Sequence, residues 1–319
     1  MKNNKLIFPA FALSIFMFIF TYALLLTWPV ECKHMNQYVT IQKNSNVNEV
    51  SKILHNHLCI NKTIFKIAVK LTGNDKNLRY GRYNFKSVTN MKDLVNLLTS
   101  NNKDRVKITI IEGLRLRDVA IYLENKLKID VEYFIELCYK KSFINSLGIN
   151  ASNLEGYLYP DTYLILNSYT EEDILRLMVN QFLFNYRENI SENNLSMHEI
   201  VTLASIIQWE AVYDDEMKLI SSVYHNRLDK DMLLQADPTV QYILPERKKK
   251  LLNKHTRVDN PYNTYLYKGL PPGPINNPGI NSIIAAAYPE KSNYFYFVAN
   301  KKGRHIFNTT FKGHLKSKK

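Results

Sequence analysis

The sequence predicts an α+β protein built from an N-terminal transmembrane helix, a small strand-helix-helix-strand unit and a larger mixed α+β domain. Three observations predict it. An uncharged apolar run fills residues 6–28. Beyond it, short strand-like segments and helical-period segments mix without the regular alternation of a parallel sheet. Finally, eight of the eleven prolines crowd between Pro238 and Pro289, where rigid loops replace regular elements. A chain of 319 residues accommodates two domains plus an appendage, and 45% hydrophobic with 22% charged residues describes a globular protein.

The apolar run carries only Ser14, Thr21, Tyr22 and Thr27 as polar members. It is long enough to span a bilayer and longer than the core of a cleavable signal. Trp28-Pro29-Val30-Glu31 follows, not a small-residue cleavage site. We therefore expect an uncleaved anchor, with Trp28 and Tyr22 suited to the interface. Lys2 and Lys5 at its start favour a cytoplasmic N-terminus, which puts everything after residue 28 outside the cytoplasm.

After the anchor, residues 38–41 read as a strand. Val47, Val50, Ile53, Leu54 and Leu58 mark a helix, and Ile64, Ile67, Ala68 and Leu71 a second one that stops at Gly73. Residues 80–85 return as a strand and 91–98 as a helix. This pattern resembles a LysM-like module, a fold type that lies on peptidoglycan glycan strands; a plain spacer is the alternative. Ile41, Val47, Val50, Leu54 and Leu58 recur sixty-nine residues later as Ile110, Leu116, Val119, Leu123 and Leu127, again strand, turn and helix, with Glu112-Gly113 as the turn.

A helix is expected over 131–139, and then an aromatic stretch, Leu154-Glu155-Gly156-Tyr157-Leu158-Tyr159-Pro160-Asp161-Thr162-Tyr163. Such rings suit sugar faces or, equally, an aromatic core loop. Helices follow over 171–187 and 217–228. Between them Ser196 and Glu199 form a capping box that opens a helix carrying Leu203, Ile206, Ile207 and Glu210 on one face. The Pro-rich loops after it, polar with Asn, Gln and Thr, are of the kind that builds a groove. Residues 294–298, apolar on both faces, read as a buried strand of a closing hairpin with 305–307.

The net charge of +13 (42 basic against 29 acidic) permits anionic partners, but the lysines are scattered and no arginine-aromatic constellation reads nucleic acid. Cys32, Cys59 and Cys138 form neither a disulfide framework nor a zinc site; one disulfide is open, and sequence does not choose the pair. The eight histidines lack ligand spacing. His198-Glu199 lacks the second His of a zincin, Ser205 is outside a nucleophile elbow, and there is no phosphate-binding Gly-rich loop. No cofactor and no metal is expected. What remains is Glu210. A carboxyl in an apolar setting resists ionisation and suits general acid catalysis, whereas one reaching solvent from the last turn beside a Lys or Arg does not. Glu155, Asp161, Asp214 and Asp237 are acids available to assist. A neutral, aromatic, amide-lined groove fits glycosidic bond cleavage better than phosphate or peptide hydrolysis.

The motifs L-A-S-I-x-x-x-E (203–210), S-V-x-x-N-R-L (222–228), L-Q-x-D-P-T (234–239), Y-N-T-Y (262–265), G-L-P-P-G-x-I-x-x-P-G (269–279), F-Y-F-V-A (295–299) and H-x-F-N-T (305–309), with the 154–163 stretch, together resemble the endolytic murein transglycosylase (MltG/YceG-like) family. The resemblance implies residues 1–5 in the cytoplasm, 6–28 in the inner membrane, a LysM-like module over 29–105 and a catalytic domain over 106–319 facing the periplasm or cell wall. It implies cleavage of the MurNAc-GlcNAc β-1,4 bond, without water, to 1,6-anhydro-MurNAc ends that terminate nascent strands. Glycan strands are the implied substrate and peptidoglycan polymerases (penicillin-binding proteins) the implied partners, with no nucleic acid. The catalytic Glu of the family maps to Glu210; Gln235, Asp237, Tyr262, Asn263 and Thr264 are expected to line the groove. Where relatives often carry a second Glu, this chain has Gln208. A muramidase-type hydrolase and a non-enzymatic wall-binding protein are the alternatives.

Overall fold

A computed structural model describes residues 4–30, 38–42, 44–85, 88–99, 105–166 and 169–318, with the side chains at 4–12, 14, 18, 38, 82 and 84 left aside. The architecture is mixed α+β, with three two-stranded sheets among the described residues. The chain forms two compact units, Met1–Val106 with Leu164–Thr170, and Lys107–Tyr163 with Glu171–Lys319.

In the first unit, α1 (Asn4–Leu26) precedes β1 (Tyr38–Ile41), α2 (Val47–Leu58), α3 (Lys62–Leu71), β2 (Gly81–Asn84) and α4 (Met91–Thr99). Strands β1 and β2 pair antiparallel, from Tyr38 opposite Asn84 to Ile41 opposite Gly81. Asn46 caps α2 through the amides of Asn48 and Glu49, and Asn61 caps α3 in the same way. Apolar residues at helical spacing meet in one core: Val50, Leu54 and Leu58 of α2, Phe65 of α3, Phe85, and Leu94 and Leu98 of α4.

The expected membrane span, 6–28, is helical only to Leu26. The Thr27 hydroxyl bonds back to the Ala23 carbonyl at 2.9 Å, Pro29 bridges to Asn90, and Val30 enters the core of the first unit. The end of the expected span thus belongs to the unit that follows it. Counting only residues whose side chains are described, no helix is long and apolar enough to cross a membrane; the side chains at 4–12, 14 and 18 of α1 lie outside that set.

The second unit holds the end of β3 (Arg105–Thr109), then α5 (Leu116–Leu127), α6 (Val131–Tyr139), α7 (Lys141–Ser146) and the start of β4 (Thr162–Leu166). Strands β3 and β4 pair; Thr109 Oγ1 lies 2.9 Å from Thr162 Oγ1. There follow α8 (Glu171–Asn189), α9 (Met197–Glu210), α10 (Met217–Asp229), α11 (Asp237–Ile243), α12 (Ile280–Ala287), β5 (Tyr296–Ala299), β6 (His305–Asn308) and α13 (Phe311–Ser317). Helix α9 is buried on every side from Ile200 to Ile207, because α10, α11 and α12 all pack on it. The aromatic stretch 154–163 is core: Tyr157, Tyr159 and Tyr163 are all buried.

Residues 294–298 do not form a buried strand. They are half-buried in a two-stranded hairpin, with Tyr296 opposite Asn308. Both faces are apolar because each meets a different helix. Phe297 packs edge-on against Tyr224 of α10 at 5.8 Å, and Tyr296 against Phe311 of α13 at 5.7 Å. Cys138 is a free, fully buried thiol, and Cys32 lies outside the described residues.

Candidate active site

Helix α9 begins with the anticipated capping box: the Ser196 hydroxyl accepts from the Glu199 amide at 3.3 Å, and the Glu199 carboxylate accepts from the Ser196 amide at 2.8 Å. It ends at Glu210, where the Ala211 amide closes the last turn on the Ile207 carbonyl. The 269–279 loop is bonded along this helix. The Ile275 amide donates to Ser205 Oγ at 3.0 Å, Asn276 Nδ2 to the Ser205 carbonyl at 2.7 Å, and the Gly279 amide to Gln208 Oε1 at 2.9 Å. Asn277, fully buried, accepts from the Gly156 and Leu158 amides and donates to the Leu114 carbonyl. Gly156 has φ +90°, and a Cβ there would sit 2.5 Å from the Pro274 ring. The loop motifs are therefore the packing partners of the helix that presents Glu210.

Glu210 is half-buried as a residue, but desolvation of its carboxyl raises the pKa to about 7. The negative charge of Asp237 pushes in the same direction. A hydrogen bond from Tyr224 Oη to Oε1, 3.0 Å long, and the positive charge of Arg227 oppose it. Tyr224 is itself fully buried and held well above its ordinary pKa, so it is a phenol donor across the accessible range. A carboxyl balanced near neutrality releases and retakes a proton at small cost.

Arg227 lies one turn beyond Tyr224 on α10 and is buried. Its guanidinium donates to the carbonyls of Phe295 at 2.7 Å and Leu234 at 2.6 Å. It thereby fixes the start of the 234–239 loop beside Glu210. In that loop Gln235 is exposed and left-handed, at φ 47°, a conformation costly for a side-chain-bearing residue; its amide donates to the Thr264 carbonyl. Asp237 opens α11 and accepts a 2.5 Å hydrogen bond from Tyr265 Oη. Tyr262 is half-buried, and its ring lies 5.0 Å from that of Tyr242.

Asn263 and Thr264, expected to line the groove, are instead fully buried. Asn263 Nδ2 donates to the carbonyls of Thr256 and Val258, and its Oδ1 accepts from the Tyr265 amide. Thr264 Oγ1 accepts from the Ala236 amide and meets Thr239 Oγ1 at 2.9 Å. Their side chains are consumed in holding the 235–237 and 262–265 loops together. Among the other acids, Glu155 is buried, with its pKa raised to about 8 chiefly by desolvation, and accepts the Leu116 amide at 2.8 Å. Asp161 bonds Gln181, and Asp214 bonds Asn281. Only Asp237 among these four acts electrostatically on Glu210. Sequence reasoning did not assign Tyr224, Arg227 or Tyr265 to the site. The signal for each was its place in a motif, S-V-Y-H-N-R-L for the first two and Y-N-T-Y for the third.

The sequence profile of the YceG-like family matches residues 39–319. The chain is 34% identical to the endolytic murein transglycosylase of Bacillus subtilis (strain 168), over 88% of this chain and 83% of that protein. It is 30% identical to the protein of that name from Streptococcus pneumoniae (serotype 2, strain D39), over 83% of this chain, and spans about half (54%) of that longer protein. The crystal structure of a yceG-like protein from Listeria monocytogenes superposes with a TM-score of 0.61 at 35% identity, covering 88% of this chain and 98% of that one.

Proposed function

The chain belongs to the YceG-like family, and from that premise we propose that it is an endolytic murein transglycosylase, a lyase of peptidoglycan, in which Glu210 is the acid–base group. The observation that carries the assignment of the residue is the Glu210 carboxyl, poised at a pKa of about 7 on the last turn of a buried helix. Protonated, it gives its proton to the bridging oxygen as the bond from muramyl C1 to that oxygen breaks. The muramyl C6 hydroxyl then closes on C1, and its proton goes to the Glu210 carboxylate. One C–O bond breaks, one forms, the acid is regenerated and no water enters. A second carboxylate to activate water, as in an inverting glycosidase, has no task here. Tyr224 steadies the carboxylate between the two proton transfers. Gln235, Asp237 and Tyr262 face the strand, while Asn263 and Thr264 hold the loops that carry them.

The same reading makes α1 the anchor to the cytoplasmic membrane. Its 23 residues extend about 34 Å at helical rise, enough for a hydrocarbon core of roughly 30 Å, and Leu13, Phe16, Met17, Ile19 and Phe20 are exposed. We read the first unit, with two helices between paired strands, as a LysM-like module that steadies a glycan strand. Termination of nascent strands beside peptidoglycan polymerases completes the proposal. The test is to incubate uncrosslinked strands with the full chain and with Glu210→Gln. Internal shortening by the wild type alone supports the reading. Intact strands with a folded wild type contradict it, as does equal shortening by both. Retention in membranes through alkaline extraction tests the anchor.

A further inference from the structure

Apart from the Glu210 carboxyl and its Tyr224 donor, the second unit gathers two arginines on one indole. Arg247 lies 4.1 Å and Arg115 5.0 Å from the centre of the Trp209 ring. Trp209 directly precedes Glu210 on α9, and its Nε1–H donates to the Gly113 carbonyl at 2.8 Å, which fixes the ring. Gly113 is left-handed at φ +78°, and a Cβ there would press on Trp209 Nε1 at 3.2 Å. Arg115 is anchored by the carbonyls of Gln241 at 3.0 Å and Tyr242 at 3.4 Å, and also lies 5.3 Å from the centre of the Tyr242 ring. Tyr242 in turn packs on Tyr262.

Both guanidinium groups lie against this one indole, and the like charge of Arg115 acts unfavourably on Arg247. The carboxylate that acts on Arg247 is Asp118, whose Oδ2 faces the backbone amide of Arg115 at 3.4 Å, while the charge of Arg115 acts on the buried Glu155. Among the described residues neither arginine forms an ion pair, and Arg247 makes no hydrogen bond. Burial and the charge of Arg115 pull the Arg247 pKa below its ordinary value, so Arg247 gains from an added negative charge. The planar fork of arginine donors matches a carboxylate.

We propose that Arg115 and Arg247, set on Trp209, form a carboxylate-binding subsite that takes an anionic group of the strand cleaved at Glu210. This rests on the murein transglycosylase reading, because muramic acid is the sugar that bears such groups. The carboxylate comes either from the peptide stem or, on a stem-free strand, from the lactyl ether itself. The site therefore selects strands by what their muramyl residues carry, a choice that Glu210 alone has no means to make.

The test measures strand binding to the full-length Glu210→Gln chain, which removes turnover. Uncrosslinked strands carry stems with free carboxylates, stems with amidated carboxylates, or no stems. The expected result is binding about three- to tenfold tighter for free carboxylates than for amidated ones. Adding Arg247→Ala removes that difference and leaves the amidated strand unaffected; Arg247→Lys restores part of it. Stem-free strands that share the Arg247-dependent gain show that the lactyl carboxylate, free only when no stem is attached, also occupies the subsite, and stem-free strands without it confine the subsite to stem carboxylates. Equal binding of free and amidated strands overturns the proposal, as does equal weakening of both by Arg247→Ala or no binding to any strand. Preserved discrimination in a chain whose wild type cleaves nothing would fault the reaction and leave the subsite standing.

Discussion

Tyr224 Oη donates a 3.0 Å hydrogen bond to Glu210 Oε1, one of two interactions, with the charge of Arg227, that favour the ionised form of that carboxyl. Burial and Asp237 favour the neutral form and prevail, which leaves the pKa near 7. Removing the donor with Tyr224→Phe keeps the ring against Phe297 and raises the Glu210 pKa further. A general acid works only while protonated. Wild-type kcat/KM therefore falls as pH rises through about 7, and in Tyr224→Phe that fall moves to higher pH. An unshifted alkaline limb would remove Tyr224 from the proton balance.

The same carboxyl makes stability depend on pH. Its folded pKa, about 7, lies above the ordinary 4.5. Its contribution is therefore fully present below pH 4.5 and is lost as pH rises through 7. At 1.36 kcal/mol per unit the loss is at most about 3 kcal/mol. Glu210→Gln does not titrate. Its stability relative to wild type, read from urea midpoints, should climb between pH 4.5 and 7 and level off above. A difference that stays flat across this range would mean that the carboxyl is solvated.

Glu155 is a carboxyl with a different task. With a pKa of about 8 it is largely neutral at physiological pH, and it accepts the Leu116 amide at the start of α5. Glu155→Gln keeps the acceptor and should cost little at pH 7. Glu155→Leu leaves the Leu116 amide without an acceptor in the interior, at a cost of about 1–3 kcal/mol. Denaturant midpoints of the two variants check the ordering.

Gly156→Ala is expected to be far more damaging than an ordinary methyl addition. The left-handed backbone at φ +90° and a Cβ 2.5 Å from Pro274 add strain and overpacking of roughly 2–6 kcal/mol together. Because the Gly156 amide also donates to Asn277 Oδ1, the damage reaches the 269–279 loop and α9. A thermal midpoint close to that of the wild type would contradict this account of the loop.

Periodicity located the helices well because their faces are set by local spacing: Val50, Leu54 and Leu58 are all buried as their positions required, and Ser196 with Glu199 started α9 as a capping box does. Four helices went unmarked, α7, α11, α12 and α13, two of them inside the proline-rich stretch read as loops; the remaining failures are long-range. Asn263 and Thr264 carry the polar side chains of a groove, yet their partners Thr256, Val258, Ala236 and Thr239 draw them inside. The 294–298 strand looked buried on both faces because α10 and α13 each claim one. The ring of Trp209 meets Arg115 and Arg247 only after the fold closes, since these residues are far apart in the chain. The helix that carries Tyr224 was legible, but the partner of its hydroxyl was not.

The central claim is that Glu210 works alone, first as acid and then as base, with the C6 hydroxyl of the substrate in place of water. Mass analysis of strands cleaved by the full chain in heavy-oxygen water tests it most directly. The account predicts new muramyl ends lighter by one water than reducing ends, carrying no heavy oxygen, and absent with Glu210→Gln. Heavy oxygen in new reducing ends would make the enzyme a hydrolase and contradict the mechanism.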